Sequence, residues 1–69
     1  LKIGLAGLIR AYESGCGNLY EMAEYLDATE EYLKEAIDCY KSKYGLCTSI
    51  DNYIIYFEPL AVIKLISIE

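Results

Sequence analysis

Histidine and tryptophan are absent from this sequence, and proline, methionine and phenylalanine each occur once. Without histidine, no Ser/His/Asp or Cys/His nucleophile–base set can be assembled, and the commonest metal ligand is missing. The three cysteines, Cys16, Cys39 and Cys47, are odd in number and contain no C-x-x-C pair. They read as free thiols of a reducing cytoplasm, not as a disulfide framework or a zinc site. Basic residues are scarce: six Lys+Arg stand against eleven Asp+Glu, a net charge of −5. A nucleic-acid binder needs a basic face to displace counterions from phosphates, and an anionic membrane surface makes the same demand. No long hydrophobic run is present either. The apolar stretch at Leu60–Ile68 is interrupted by Lys64 and Ser67, and it is too short for a membrane span of about 20 residues. No signal-peptide pattern opens the chain, and no glycine-rich loop follows a strand. The expectation is a chain with no metal, cofactor, small-molecule ligand, nucleic acid or membrane to bind, and with no catalytic activity of its own.

What the sequence does contain is apolar surface. Of 69 residues, 55% are hydrophobic and eight are tyrosine, which excludes disorder. A domain of about 60 residues buries only about 60% of its unfolded surface. Some of that apolar material is therefore expected to face a neighbour. The chain starts with Leu1, not Met, and reads as one small domain from a longer protein.

The periodicity predicts an α+β domain: a three-helix bundle, helix-turn-helix-like, followed by a two- or three-stranded antiparallel β-meander in a winged-helix-like order. Helices are expected at about 3–14, 19–27 and 30–44, and strands at about 46–50, 53–57 and 61–68. Leu5, Leu8, Ile9 and Tyr12 mark the inner face of the first helix, at the i, i+3, i+4, i+7 spacing of a buried stripe. Ser14–Gly17 breaks that helix, and Asn18 with Glu21 forms an N-x-x-E capping box for the second. Either Asp27 or Thr29 caps the third, whose stripe is Leu33, Ala36, Ile37, Tyr40 and Tyr44 and whose stop signal is Gly45. Beyond Gly45 the period changes to two. Asp51-Asn52 supplies a hairpin turn, Tyr53–Phe57 the central strand, and Glu58-Pro59-Leu60 the next turn.

The helix-turn-helix spacing of the second and third helices raises DNA binding as a reading, and the charges speak against it. The would-be recognition helix presents Glu30, Glu31, Glu35 and Asp38 with only Lys34 in opposition, and like charges repel phosphates. These carboxylates read as a solvated helix face, not as a catalytic pair, which would need a cleft and shifted pKa values. The tyrosines divide into two groups. Tyr12, Tyr40 and Tyr44 are expected in the core, whereas Tyr20, Tyr25 and Tyr32 fall on helix flanks, either as half-buried core edge or as a contact surface for another domain, since tyrosine suits a site with one dry and one wet end. On the central strand, Ile55 is expected to point inward and Ile54 and Tyr56 outward, because side chains alternate. The candidate protein-interaction surface is thus Tyr20, Tyr25, Tyr32, Ile54 and Tyr56.

Three stretches carry a family resemblance: Leu8-Ile9-Arg10-Ala11-Tyr12-Glu13-Ser14-Gly15-Cys16, Tyr20-Glu21-Met22-Ala23-Glu24-Tyr25-Leu26-Asp27, and Tyr40 through Lys43-Tyr44-Gly45 to Asp51-Asn52-Tyr53-Ile54-Ile55-Tyr56-Phe57-Glu58-Pro59-Leu60. Together they cover most of the chain and resemble the C-terminal region of ImmA/IrrE-type zinc metallopeptidases, the form carried by phages and mobile elements of clostridia-like bacteria. That resemblance implies a cytoplasmic bacterial protein whose N-terminal catalytic domain holds zinc on an H-E-x-x-H helix, some members cleaving the repressor of a mobile element. None of the catalytic residues can be placed on this chain, which has no histidine. What the resemblance implies for it is a non-catalytic accessory domain that packs on the catalytic domain or recognises a protein substrate. The alternatives are a stand-alone interaction or dimerisation module of a phage-related regulator and, against the charge pattern, a winged-helix DNA binder.

Overall fold

The computed structural model describes residues 3–66. Helices α1 (Leu5–Glu13), α2 (Leu19–Tyr25) and α3 (Glu30–Tyr44) precede strands β1 (Cys47–Ile50), β2 (Tyr53–Phe57) and β3 (Leu60–Lys64). The strands form one antiparallel sheet in the order β1-β2-β3. This is the expected α+β architecture of three helices followed by a meander. The third strand pairs fully, so the sheet has three strands and not two.

Local chemistry sets each boundary. α1 begins at Leu5, two residues later than the periodicity predicts, because Gly4 is extended and its carbonyl accepts the first helical N–H bonds. It closes in a Schellman turn: Gly15 at φ 93° donates to the Tyr12 carbonyl, and Cys16 to that of Ala11. α2 repeats the device with an unusual residue. Asp27 adopts φ 57° and donates to Glu24, while Ala28 donates to Ala23. Asp27 therefore terminates α2 and is neither part of that helix nor the cap of α3. Thr29 is the cap, its Oγ1 accepting from Tyr32 N at 3.0 Å. At the start of α2, Asn18 Oδ1 accepts from Glu21 N at 2.8 Å. The Glu21 carboxylate reaches one residue further back than a standard capping box, to Gly17 N at 2.7 Å.

β2 pairs on both sides, with Tyr53 opposite Ile50 and Lys64, and Phe57 opposite Leu60. Asp51 takes a left-handed φ of 54° in the first turn, and the Glu58–Pro59 bond in the second is cis, as in a type VI turn. β1 starts at Cys47, one residue late. β3 runs from Leu60 to Lys64 instead of 61–68, because β2 offers no partner beyond Tyr53. One further bond, Leu65 N to the Asn52 carbonyl, ends the ladder. Residues 67 and 68 of the expected strand lie outside the described residues.

A single core joins the layers. Leu8, Leu33 and Ile55 are its largest fully enclosed side chains among the described residues, with Ile9, Met22, Ile37, Phe57 and Val62 around them. Two tyrosines depart from expectation. Tyr12 is 46% exposed and Tyr44 is also exposed, although both lie on predicted inner stripes. In α1 the predicted Leu8 and Ile9 are buried, together with Gly7 and Ala11. A Cβ on Gly7 would sit 3.4 Å from Leu26 Cδ2, so small residues let α1 and the end of α2 approach closely. Tyr12 shares the arc of Leu8 and Ile9 but stands in the last turn of α1, at the edge of the bundle. Tyr44, at the last position of α3, only stacks along the rim on Tyr40 and Phe57.

Candidate interaction surface

Strand alternation gives the sheet two chemically different faces. Thr48, Ile50, Tyr53, Ile55, Phe57, Leu60, Val62 and Lys64 share the helix side by register, and Ile55, Phe57 and Val62 on it are buried. The other side carries Cys47, Ser49, Ile54, Tyr56, Ala61 and Ile63, with Ile54 opposite Ile63 and Tyr56 opposite both Cys47 and Ala61. Six side chains and not one charge make up this outer face, in a chain with eleven carboxylates. Tyr56 is 38% exposed and Ile63 45%.

The five residues named from the sequence are not gathered into one site. Ile54 and Tyr56 lie side by side on the outer sheet face. Tyr20 and Tyr25 sit on α2, 58% and 48% exposed. Five residues apart, they diverge by about 140° around the helix axis. The Tyr20 hydroxyl donates to Glu24 Oε2 at 3.3 Å. Tyr32 is half-buried and packs against the core beside Ile3, Leu26 and Ala28, whose surfaces enclose a shallow cleft of about 450 Å³. Sequence reasoning missed Ile63, which completes the apolar cluster with Ile54. The expected turn Glu58-Pro59-Leu60 hid it: Leu60 already pairs with Phe57, and that register sets Ile63 opposite Ile54.

Two tyrosines on the helix side tie distant segments together. The Tyr40 hydroxyl donates to the Ile3 carbonyl at 2.6 Å, and the Tyr53 hydroxyl donates to the Glu13 carboxylate. Burial, and then the neighbouring Tyr44, push the Tyr40 phenol above its ordinary pKa. For Tyr53 the hydrogen bond to Glu13 does so first. The Lys64 ammonium lies 6.0 Å from the Tyr53 ring centroid, a cation–π distance.

Among the described residues no group of three His, Cys, Asp or Glu is placed to hold a metal ion, and no helix is long and apolar enough to cross a membrane. Cys16, Cys39 and Cys47 are free thiols. Comparison with protein-family models, with curated proteins and with solved structures returns no match.

Proposed function

We propose that this chain is a non-catalytic accessory domain whose outer sheet face docks on a neighbouring polypeptide, as expected for the C-terminal region of the ImmA/IrrE-type metallopeptidases it resembles. In that setting the neighbour is a catalytic domain of the same cytoplasmic protein, and the pair acts on a repressor protein. One observation carries the reading: on an acidic chain the outer sheet face is charge-free, with Tyr56 and Ile63 exposed beside a half-buried Ile54.

The size of that face favours a tethered neighbour over a free second copy. Three strands of about five residues present a patch on the order of 10 by 17 Å. That is far below the ~800 Å² per partner of a stable free interface. A covalent link supplies an effective concentration that a patch of this size can exploit. The test is to express the open reading frame upstream of Leu1 together with this domain and to look there for an H-E-x-x-H helix. Ile54→Thr with Tyr56→Thr should then leave this domain folded but loosen it from its neighbour, read as increased protease cleavage between them. A frame that encodes no second domain, with self-association of the 69-residue chain in sedimentation, would instead support the stand-alone dimerisation module.

A further inference from the structure

A groove of about 470 Å³ opens on the helix side of the sheet, where the α1–α2 loop, α3 and the β2–β3 turn meet. Its floor is apolar. Met22, Ile37 and Phe57 are almost wholly buried there, and Leu19 and Leu60 are half-buried. Its volume lies within the range of about 300–1,000 Å³ typical of ligand pockets. Small polar ligands need several convergent buried donors and acceptors, but no buried side-chain N or O atom among the described residues is left unsatisfied. The groove therefore offers an apolar seat without a polar reading head.

Its rim is charged and mostly acidic. Asp38 lies on one wall and makes no ion pair or hydrogen bond among the described residues. Glu58, across the groove, is held by Lys41 at 2.8 Å. Among the described residues Lys34 is the one cation of the lining, and Glu31 and Glu35 stand beyond the lining on the same exposed side of α3. A cationic partner is drawn to such a rim, and an anionic one is repelled.

We propose that this groove binds a short basic segment of a partner protein, seating one Leu-, Met- or Phe-sized side chain on the Met22–Ile37–Phe57 floor while a flanking Lys or Arg pairs with Asp38. The site stands apart from the outer sheet face, since Phe57 and Tyr56 point to opposite sides of β2. A neighbour docked on that face leaves the groove open.

The probe is a short synthetic peptide of Lys and Leu, titrated into the ¹⁵N-labelled 69-residue chain and followed by amide shifts and by anisotropy of a fluorescent copy. Shifts are expected at residues 16–19, 34–38 and 57–60. Replacing the Leu residues by Ser should weaken binding about tenfold or more, since burying one Leu is worth about 1.5–3 kcal/mol. Asp38→Lys should weaken it about fivefold at low salt, with an unchanged circular dichroism spectrum as the control for folding. The proposal is overturned if no shifts appear, if they fall on the outer sheet face instead, or if the Leu-free or charge-reversed peptide binds equally well.

Discussion

The helical half and the sheet half of this domain treat apolar residues differently. In the helices, the large aliphatic side chains are drawn inward, and what remains outside is carboxylate, lysine and tyrosine. In the sheet, β2 carries five consecutive apolar or aromatic residues, so alternation must send some of them outward: Ile55 and Phe57 are buried, while Ile54 and Tyr56 are not. A helix can cluster its apolar residues on one stripe. A strand with no polar residues at all cannot. The central strand thus carries isoleucine and tyrosine on both faces, and among the described residues the helices cover the inner one.

The most direct way to break that comparison is to truncate adjacent residues of β2. Ile55→Ala removes a fully enclosed side chain and should cost about 2–5 kcal/mol in urea unfolding, close to the whole stability of a small domain. Ile54→Thr should cost under about 1 kcal/mol, since it leaves the core untouched. Equal losses at the two positions would mean that both faces are packed within the chain, and the docking surface would have to be sought elsewhere.

Smaller effects sharpen the helical side. Thr29→Ala deletes the cap of α3 and should lower stability by about 1 kcal/mol. Asp27→Gly should raise stability by a few tenths to about 1 kcal/mol, because it relieves the left-handed backbone at the end of α2. Thermal unfolding of the two variants would show opposite shifts. Lys41→Ala breaks an ion pair whose partners are both solvent-exposed and should change stability by less than about 0.5 kcal/mol.

Alkaline pH probes two hydroxyl links, Tyr40–Ile3 within the helical half and Tyr53–Glu13 between the halves. Both Tyr40 and Tyr53 have phenol pKa values raised in the fold. Their contribution is thus fully present below the unfolded tyrosine pKa of about 10 and is lost as pH climbs through the higher folded values, where a phenolate can no longer donate to the Ile3 carbonyl or to Glu13. Stability should fall above about pH 10, and Tyr40→Phe should flatten the decline. An unchanged slope in that variant would assign the effect to other groups.

Much of this fold was legible because its signals are local. The stripe Leu33–Ala36–Ile37, the stop at Gly45 and the run Tyr53–Phe57 each fall where the residues themselves place them. What the sequence concealed was set by contacts between elements. Tyr12 reads as core from its spacing, yet in the last turn of α1 it reaches past the packed layer and is exposed. β3 reads as running to residue 68 until the length of β2 cuts it off. The candidate surface was half legible. Alternation assigned Ile54 and Tyr56 to one face, and the core-edge reading holds for Tyr32, whereas Ile63 was hidden because the expected turn included Leu60, which the structure pairs with Phe57.

Gly45 joins the two halves, and its backbone takes φ 86° and ψ −140°. Nothing lies within 4 Å of where its Cβ would be. Space is free, yet an L-side chain there would be held in a region populated almost solely by glycine, at a cost on the order of 1–3 kcal/mol. A library randomised at positions 43 to 46 and selected for folded chains should therefore return glycine at 45, while Lys43 and the exposed Leu46 drift freely. The hinge between helix and sheet would survive selection as a single invariant letter surrounded by noise.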